Sequence, residues 1–203
     1  MFVKVENGEV IEKLASLPKS YRFSDGSSTG NFNLLDSSIQ VAEGYYPLVE
    51  NKPTFNQKTQ RLVLGSESIE SSQVIHNYVV QDIPLSDLKS GRISEVDILL
   101  SDKLSLSQFT FDSQVFNFHQ QAANDVTQLQ TLLGLGAQFP SPFSWTQADG
   151  EEYSMNQVQF ISFANTLAAH KLGLIGVAKA HVSAIKALSV AQEIVDYDIT
   201  AGW

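Results

Sequence analysis

The chain has 203 residues, 43% of them apolar and 17% charged, a balance that supports one large or two modest folded domains and argues against a disordered polymer. Thirteen basic residues stand against 22 acidic ones, for a net charge of −9, and no Lys or Arg falls between Lys103 and Lys171. That pattern speaks against nucleic acid and against an anionic bilayer, both of which need clustered cations, while the absence of cysteine removes disulfides, thiolate nucleophiles and zinc knuckles.

The opening Met1-Phe2-Val3-Lys4-Val5-Glu6 lacks the basic and then apolar stretch of a secretory signal, so the expectation is a soluble protein synthesised without export signals. Phe2–Val5, Asn7-Gly8 and Glu9–Ile11 read as a hairpin, because Asn-Gly favours a type I′ turn. Residues 18–38 are rich in Ser, Asp, Asn and Gly and read as an exposed loop. Strands are expected at Tyr45–Val49, Gln60–Leu64 and Gln73–Gln81, which together make a small β-meander. Pro84 ends that β-rich region of residues 1–85. Ser86 then caps a connector helix over residues 86–103, with Leu88, Ile93, Val96, Leu99 and Leu100 three or four apart.

Residues 104–203 read as a helical domain carrying β-hairpins. Phe109, Phe111, Val115 and Phe116 alternate about Asp112-Ser113 as a hairpin, and Asn117 caps a helix from Phe118 to Leu133 that ends at Gly134 and Gly136. Asp149-Gly150 turns the chain between Trp145 and Tyr153. Ser154 with Gln157 has capping-box spacing and starts the longest element, Met155 to about Leu188, roughly 50 Å long. One seam of this helix holds Phe160, Phe163, Leu167, His170, Leu174, Val177 and His181. A second holds Val158, Ile161, Asn165, Ala168, Leu172, Ile175, Lys179, Val182 and Lys186. A helix apolar on two sides needs cover on both, so the first seam is the expected self-association surface. Asn165, His170, Lys171, Lys179, His181 and Lys186 interrupt the apolar run, so membrane insertion is not expected. Ser189 and Gln192 are spaced to box a last short helix. The fold class is therefore α+β.

Catalytic signals are weak throughout. Gly26-Ser27-Ser28-Thr29-Gly30 has the Gly-x-Ser-x-Gly spacing of a nucleophile elbow but runs on into loop residues rather than a helix. His76, His119, His170 and His181 show no metal-ligand spacing, and His170 and His181 stand three turns apart, roughly 16 Å. Adjacent Glu151 and Glu152 point to opposite faces of an extended segment, unlike a glycosidase pair. Asp25, Asn31, Asn33 and Asp36 lack calcium-loop spacing. No cofactor, metal or enzymatic activity is expected.

Phe109-Thr110-Phe111-Asp112, Trp145-Thr146-Gln147-Ala148-Asp149-Gly150, Met155-Asn156-Gln157, His170, Lys186-Ala187-Leu188, Ile194–Asp198 and Gly202-Trp203 resemble a domain of unknown function found at the C-termini of small bacteriophage tail-region proteins. The resemblance spans about half the chain, with Asp112-Ser113 standing where Asp-Gly would be. Gly44–Glu50 followed by Pro53-Thr54-Phe55 and Thr59-Gln60 carries a second resemblance to phage tail proteins. These likenesses imply a location in or beside the tail fibre or baseplate, after synthesis in the host cytoplasm, with other tail proteins as partners and a homo-oligomer, a trimer, as the assembly. They bring no functional residues with them. The first expectation is a non-enzymatic structural component of the virion. Alternatives are a tail-fibre assembly chaperone, or a host-surface carbohydrate-binding module using Tyr45, Tyr46 and Trp145.

Overall fold

Asn7 and Gly8 take φ angles of 52° and 81°, the left-handed pair a type I′ turn requires, and they join β1 (Phe2–Glu6) to β2 (Glu9–Leu14). The structure, a computed structural model, describes residues 1–203. It is an α+β protein, 41% helix and 27% strand, divided into Met1–Ile83 and Pro84–Trp203.

In the first unit, β3 (Tyr21–Arg22) and β4 (Ser28–Thr29) form a small ladder. A 3-10 turn at Phe32–Leu34 precedes α1 (Ser37–Ala42), whose cap Asp36 accepts from the Ser38 amide at 2.9 Å. The 18–38 stretch is thus partly core rather than wholly exposed loop. Phe32 is fully buried, stacked on Tyr21 at 4.4 Å between ring centres, with Tyr45 edge-on at 5.1 Å. The buried Gln40 amide donates to the Phe32 and Leu35 carbonyls. Gly44, at φ +83°, brings its backbone so near β1 that an added Cβ would lie 2.5 Å from the Val5 oxygen.

The sheet is completed by β5 (Tyr45–Asn51), β6 (Gln60–Ile69) and β7 (Val74–Asp82), in the order β2-β1-β5-β7-β6. This corrects the expected meander. β6 and β7 form a hairpin, and its second strand lies against β5 in parallel, pairing Leu48 with Val74 and Asn51 with Asn77. Alternation within a strand reveals its faces but not its neighbour, so the strand order was beyond the reach of the pattern.

The second unit begins with α2 (Leu85–Leu106). Its N-cap is Pro84, without a side-chain hydrogen bond, and Ser86 instead bonds Asp87. The expected connector over 86–103 is corrected: α2 is a wall of the second unit. Val96 is completely buried, and Ile93, Leu99 and Leu100 pack beside it against residues 178–203. β8 (Gln108–Phe111) and β9 (Gln114–Asn117) follow, then α3 (Gln120–Gly134), which starts after His119 because β9 keeps Asn117 in its ladder. β10 (Ser144–Thr146) pairs with β11 (Glu152–Ser154).

The long helix, α4, runs from Gln157 to Ala187. Its capping box is Asn156 with Gln159, at 2.9 and 3.1 Å, two residues beyond the expected Ser154–Gln157 pair, because Ser154 is held in β11 opposite Ser144. α5 (Ala191–Asp196) closes the chain with Val190 as cap, so the expected Ser189–Gln192 box does not form.

α4 organises two successive cores along one side. Near its start, Phe160, Phe163, Ala164 and Leu167 pack with Phe109, Phe116, Phe118 and Val126 from the β8–β9 hairpin and the α3 region. Further along, Ala178 and Ile185 pack with Val96 and Ile199.

Candidate functional site

The two cores fix where each side of α4 can act. Phe160, Phe163, Leu167, Leu174 and His181 are buried in their own chain, and His170 and Val177 are partly buried. The expected self-association seam is therefore corrected: it is the intramolecular core. Phe109, Phe116, Phe118 and Val126 meet Phe160 and Phe163 on this side, burying large apolar rings there.

The second seam is open along its first half, whereas further on Ile175 and Val182 are half-buried and Val182 packs on the core shared with α2. Val158 is 78% exposed and Leu172 66%, with Ile161, Asn165 and Ala168 also exposed. Beside them Ala169, Gly173, Gly176, Ala180, Ser183 and Ala187 recur at alternating steps of four and three, and all six are solvent-facing. A Cβ added at Gly173 or Gly176 would meet nothing within 4 Å. Gln157–Ala187 is also the one helix long and apolar enough to cross a membrane by length and composition, with 28% of its most apolar window buried. Core helices share those properties, and here one side of the helix is spent on protein contacts.

Between the two cores, where His170 and Leu174 lie on α4, a cleft of about 480 Å³ opens. Asp102, Lys103 and Leu106 line it from the end of α2, followed by Ser107 and Gln108. Trp203 completes the lining. Ser107 Oγ and His170 Nε2 share a hydrogen bond of 2.9 Å, and the imidazole packs near Phe109 and Phe118. Burial lowers the His170 pKa from its ordinary 6.5, favouring the neutral ring. Ser107 is itself fixed at the α2 C-cap. Its amide donates to Lys103 O at 3.0 Å and its carbonyl accepts from Phe118 N at 2.8 Å.

A serine beside a histidine has nucleophile-and-base spacing. The surroundings do not complete that machinery: Asp102 lines the cleft without bonding the ring, and the Ser107 amide, used in the cap, is not aimed at an oxyanion. The pair is a positioned polar anchor.

Residues 100–201 match the family described as Domain of unknown function (DUF4376). The chain belongs to the DUF4376 family. No curated protein and no solved structure matches it. The DUF4376 region takes in every part of the cleft lining except Trp203 and includes all of α4.

The other sequence candidates are dispersed. Tyr45 and Trp145 are built into ring clusters: Lys4 Nζ sits 4.4 Å from the Tyr45 ring centre, and Trp145 lies 5.5 Å from Phe163. Tyr46 lines an open groove with Lys4, Glu6 and Glu43. Tyr45 and Tyr46 belong to the first unit and Trp145 to the second. Ser27 is held by Asp25 within its turn, at 2.6 Å between oxygens. His119 is exposed at the start of α3. His76 is buried, with Nε2 2.6 Å from Glu67 and Nδ1 3.4 Å from Lys13. No three His, Asp or Glu side chains converge as a metal site, and Asp25 and Asp36 are engaged by Ser27 and Ser38. Glu152 is bonded by Thr146. Sequence reasoning missed the cleft because Ser107 and His170 are 63 positions apart. The one available signal was His170, one of two histidines in an otherwise apolar seam.

Proposed function

We propose that this chain is a non-enzymatic structural component of a bacteriophage tail, in the fibre or baseplate region, and that its C-terminal half assembles with copies of itself. The tail assignment is supported by the sequence resemblance of both halves to phage tail proteins. The observation that carries self-assembly is the open side of α4, from Val158 through Leu172, with small residues at heptad-like spacing beside it. Fully burying a Val or Leu side chain contributes about 1.5–3 kcal/mol, and small neighbours let helix backbones approach closely. A homotrimer is the expected assembly, its contact on the second seam of α4 instead of the first.

The test is the mass of the intact chain by light scattering, paired with quantitative mass spectrometry of purified phage particles. A mass that is a multiple of 22.3 kDa, with a defined copy number in the particle, supports the proposal. A monomer at every concentration overturns self-assembly. Absence from particles overturns the structural role and favours a chaperone.

A further inference from the structure

The lining of the cleft beside His170 selects for a ligand type. Its two ionised side chains, Asp102 and Lys103, are opposite in sign and cancel, while burial disfavours the charged form of His170. No net positive field is left to attract a phosphate or carboxylate. Neither the Asp102 carboxylate nor the Lys103 ammonium is engaged by another side chain of the protein, so an acceptor and a donor stand uncommitted at the rim. Gln108 spends its amide nitrogen on Asn117 Oδ1 at 2.9 Å, which leaves its carbonyl oxygen to accept.

Apart from Ser107, the remaining lining is apolar: Leu106, Leu174 and Trp203. The Trp203 indole donates to Ile199 O at 2.7 Å, and its ring stacks on His181 with centroids 5.8 Å apart and planes 21° apart. Its orientation is therefore set before any ligand arrives. Leu174 supplies a buried apolar surface beside it. A volume of about 480 Å³ falls within the range of small-molecule sites, roughly 300–1,000 Å³.

We propose that this cleft binds a neutral polyhydroxylated ligand, a single sugar residue of a glycan, with its hydroxyls on Asp102, Lys103 and Gln108 and its C–H face toward Trp203. Each sugar hydroxyl is both donor and acceptor, which suits a rim offering both in balance. A carboxylate or phosphate would satisfy Lys103 but face Asp102. The inference stands apart from the tail proposal, and its failure would leave the self-assembly test untouched.

The experiment is a titration of the intact chain with methyl glucoside, methyl galactoside, methyl N-acetylglucosaminide and, separately, inorganic phosphate, observing the Trp203 indole and His170 ring resonances by NMR. At least one glycoside should shift both saturably, with a dissociation constant on the order of millimolar for so small a ligand. Phosphate should shift neither. Asp102→Ala and Gln108→Ala, both on exposed side chains, should each weaken binding about tenfold or more, and Leu132→Ala on α3 should leave it unchanged. The proposal is overturned if no glycoside gives a saturable shift, if phosphate alone does, or if both rim variants bind as tightly as the parent.

Discussion

The Tyr197 hydroxyl lies 3.0 Å from His181 Nδ1, joining the C-terminal segment to the buried side of α4. The second ring nitrogen, Nε2, donates to the Ala201 carbonyl at 2.9 Å, and Arg92 from α2 donates through Nε to the Tyr197 carbonyl at 3.2 Å. His181 thus ties α4 to the C-terminal segment at two points, and Arg92 ties α2 to the same segment. Tyr197→Phe leaves His181 Nδ1 without its hydroxyl partner and should cost about 1–2 kcal/mol in urea unfolding. His181→Ala adds a cavity and strands the Ala201 carbonyl, so its cost should exceed that of Tyr197→Phe. Equal midpoints for parent and both variants would mean the segment contributes nothing to the fold.

His170 gives the second unit a pH response of definite sign. Its folded pKa lies below 6.5 through burial, so below that pH the unfolded chain binds the extra proton more readily. The associated stability is complete above about pH 6.5 and is lost as pH falls toward the folded pKa. Substituting His170→Gln should flatten the fall in unfolding midpoint between neutral and mildly acid solution. An imidazole titrating at or above 6.5 by NMR would contradict this.

The β8–β9 turn places two residues with side chains in the left-handed region, Asp112 at φ 49° and Ser113 at φ 63°. Asp112 has compensation, since its carboxylate accepts from the Tyr153 hydroxyl. Ser113 makes no such bond. Ser113→Gly should therefore stabilise the chain by about 1 kcal/mol, relief of left-handed strain outweighing the added chain entropy. A lower melting temperature for the variant would refute that balance.

The two sides of α4 should respond oppositely. Leu167→Ala, inside the first core, should cost about 2–5 kcal/mol. Leu172→Lys, on the open side, should leave unfolding within about 0.5 kcal/mol while reducing the self-associated fraction measured by light scattering. Unchanged mass for Leu172→Lys would remove this side from the interface.

Tyr21 offers a check on the first unit. Burial, followed by its 3.0 Å hydrogen bond to Glu43, pushes its pKa up to about 12. Because the folded pKa is raised, the stabilisation is present below the ordinary value near 10 and is lost as pH rises toward 12. Tyr45, Tyr78 and Tyr153 are also raised, so ultraviolet titration should show several late phenols, and Tyr21→Phe should remove the component near pH 12.

Much of this architecture was legible locally. Asn7-Gly8 specified its hairpin, alternating Phe109, Phe111 and Phe116 specified another, and the period of α4 marked a helix with apolar residues on two sides. These features depend on backbone preferences and on spacing within a few residues, which a single sequence records directly. The helix starts were less well placed, since strand pairing kept Asn117 and Ser154 out of the caps their side chains could have formed.

Which side of α4 meets the protein's own core was decided only by tertiary structure. Both seams carry the right period, and the choice depended on the α2 and α3 regions and the β8–β9 hairpin delivering Val96, Val126 and Phe116 to the side that holds Phe163 and Ile185. The same holds for the pairing of Ser107 with His170. By itself the sequence determined a long helix with more apolar surface than one contact could cover, because periodicity is local; the fold determined which half of that surface remains for a partner, because burial depends on what distant segments bring to it.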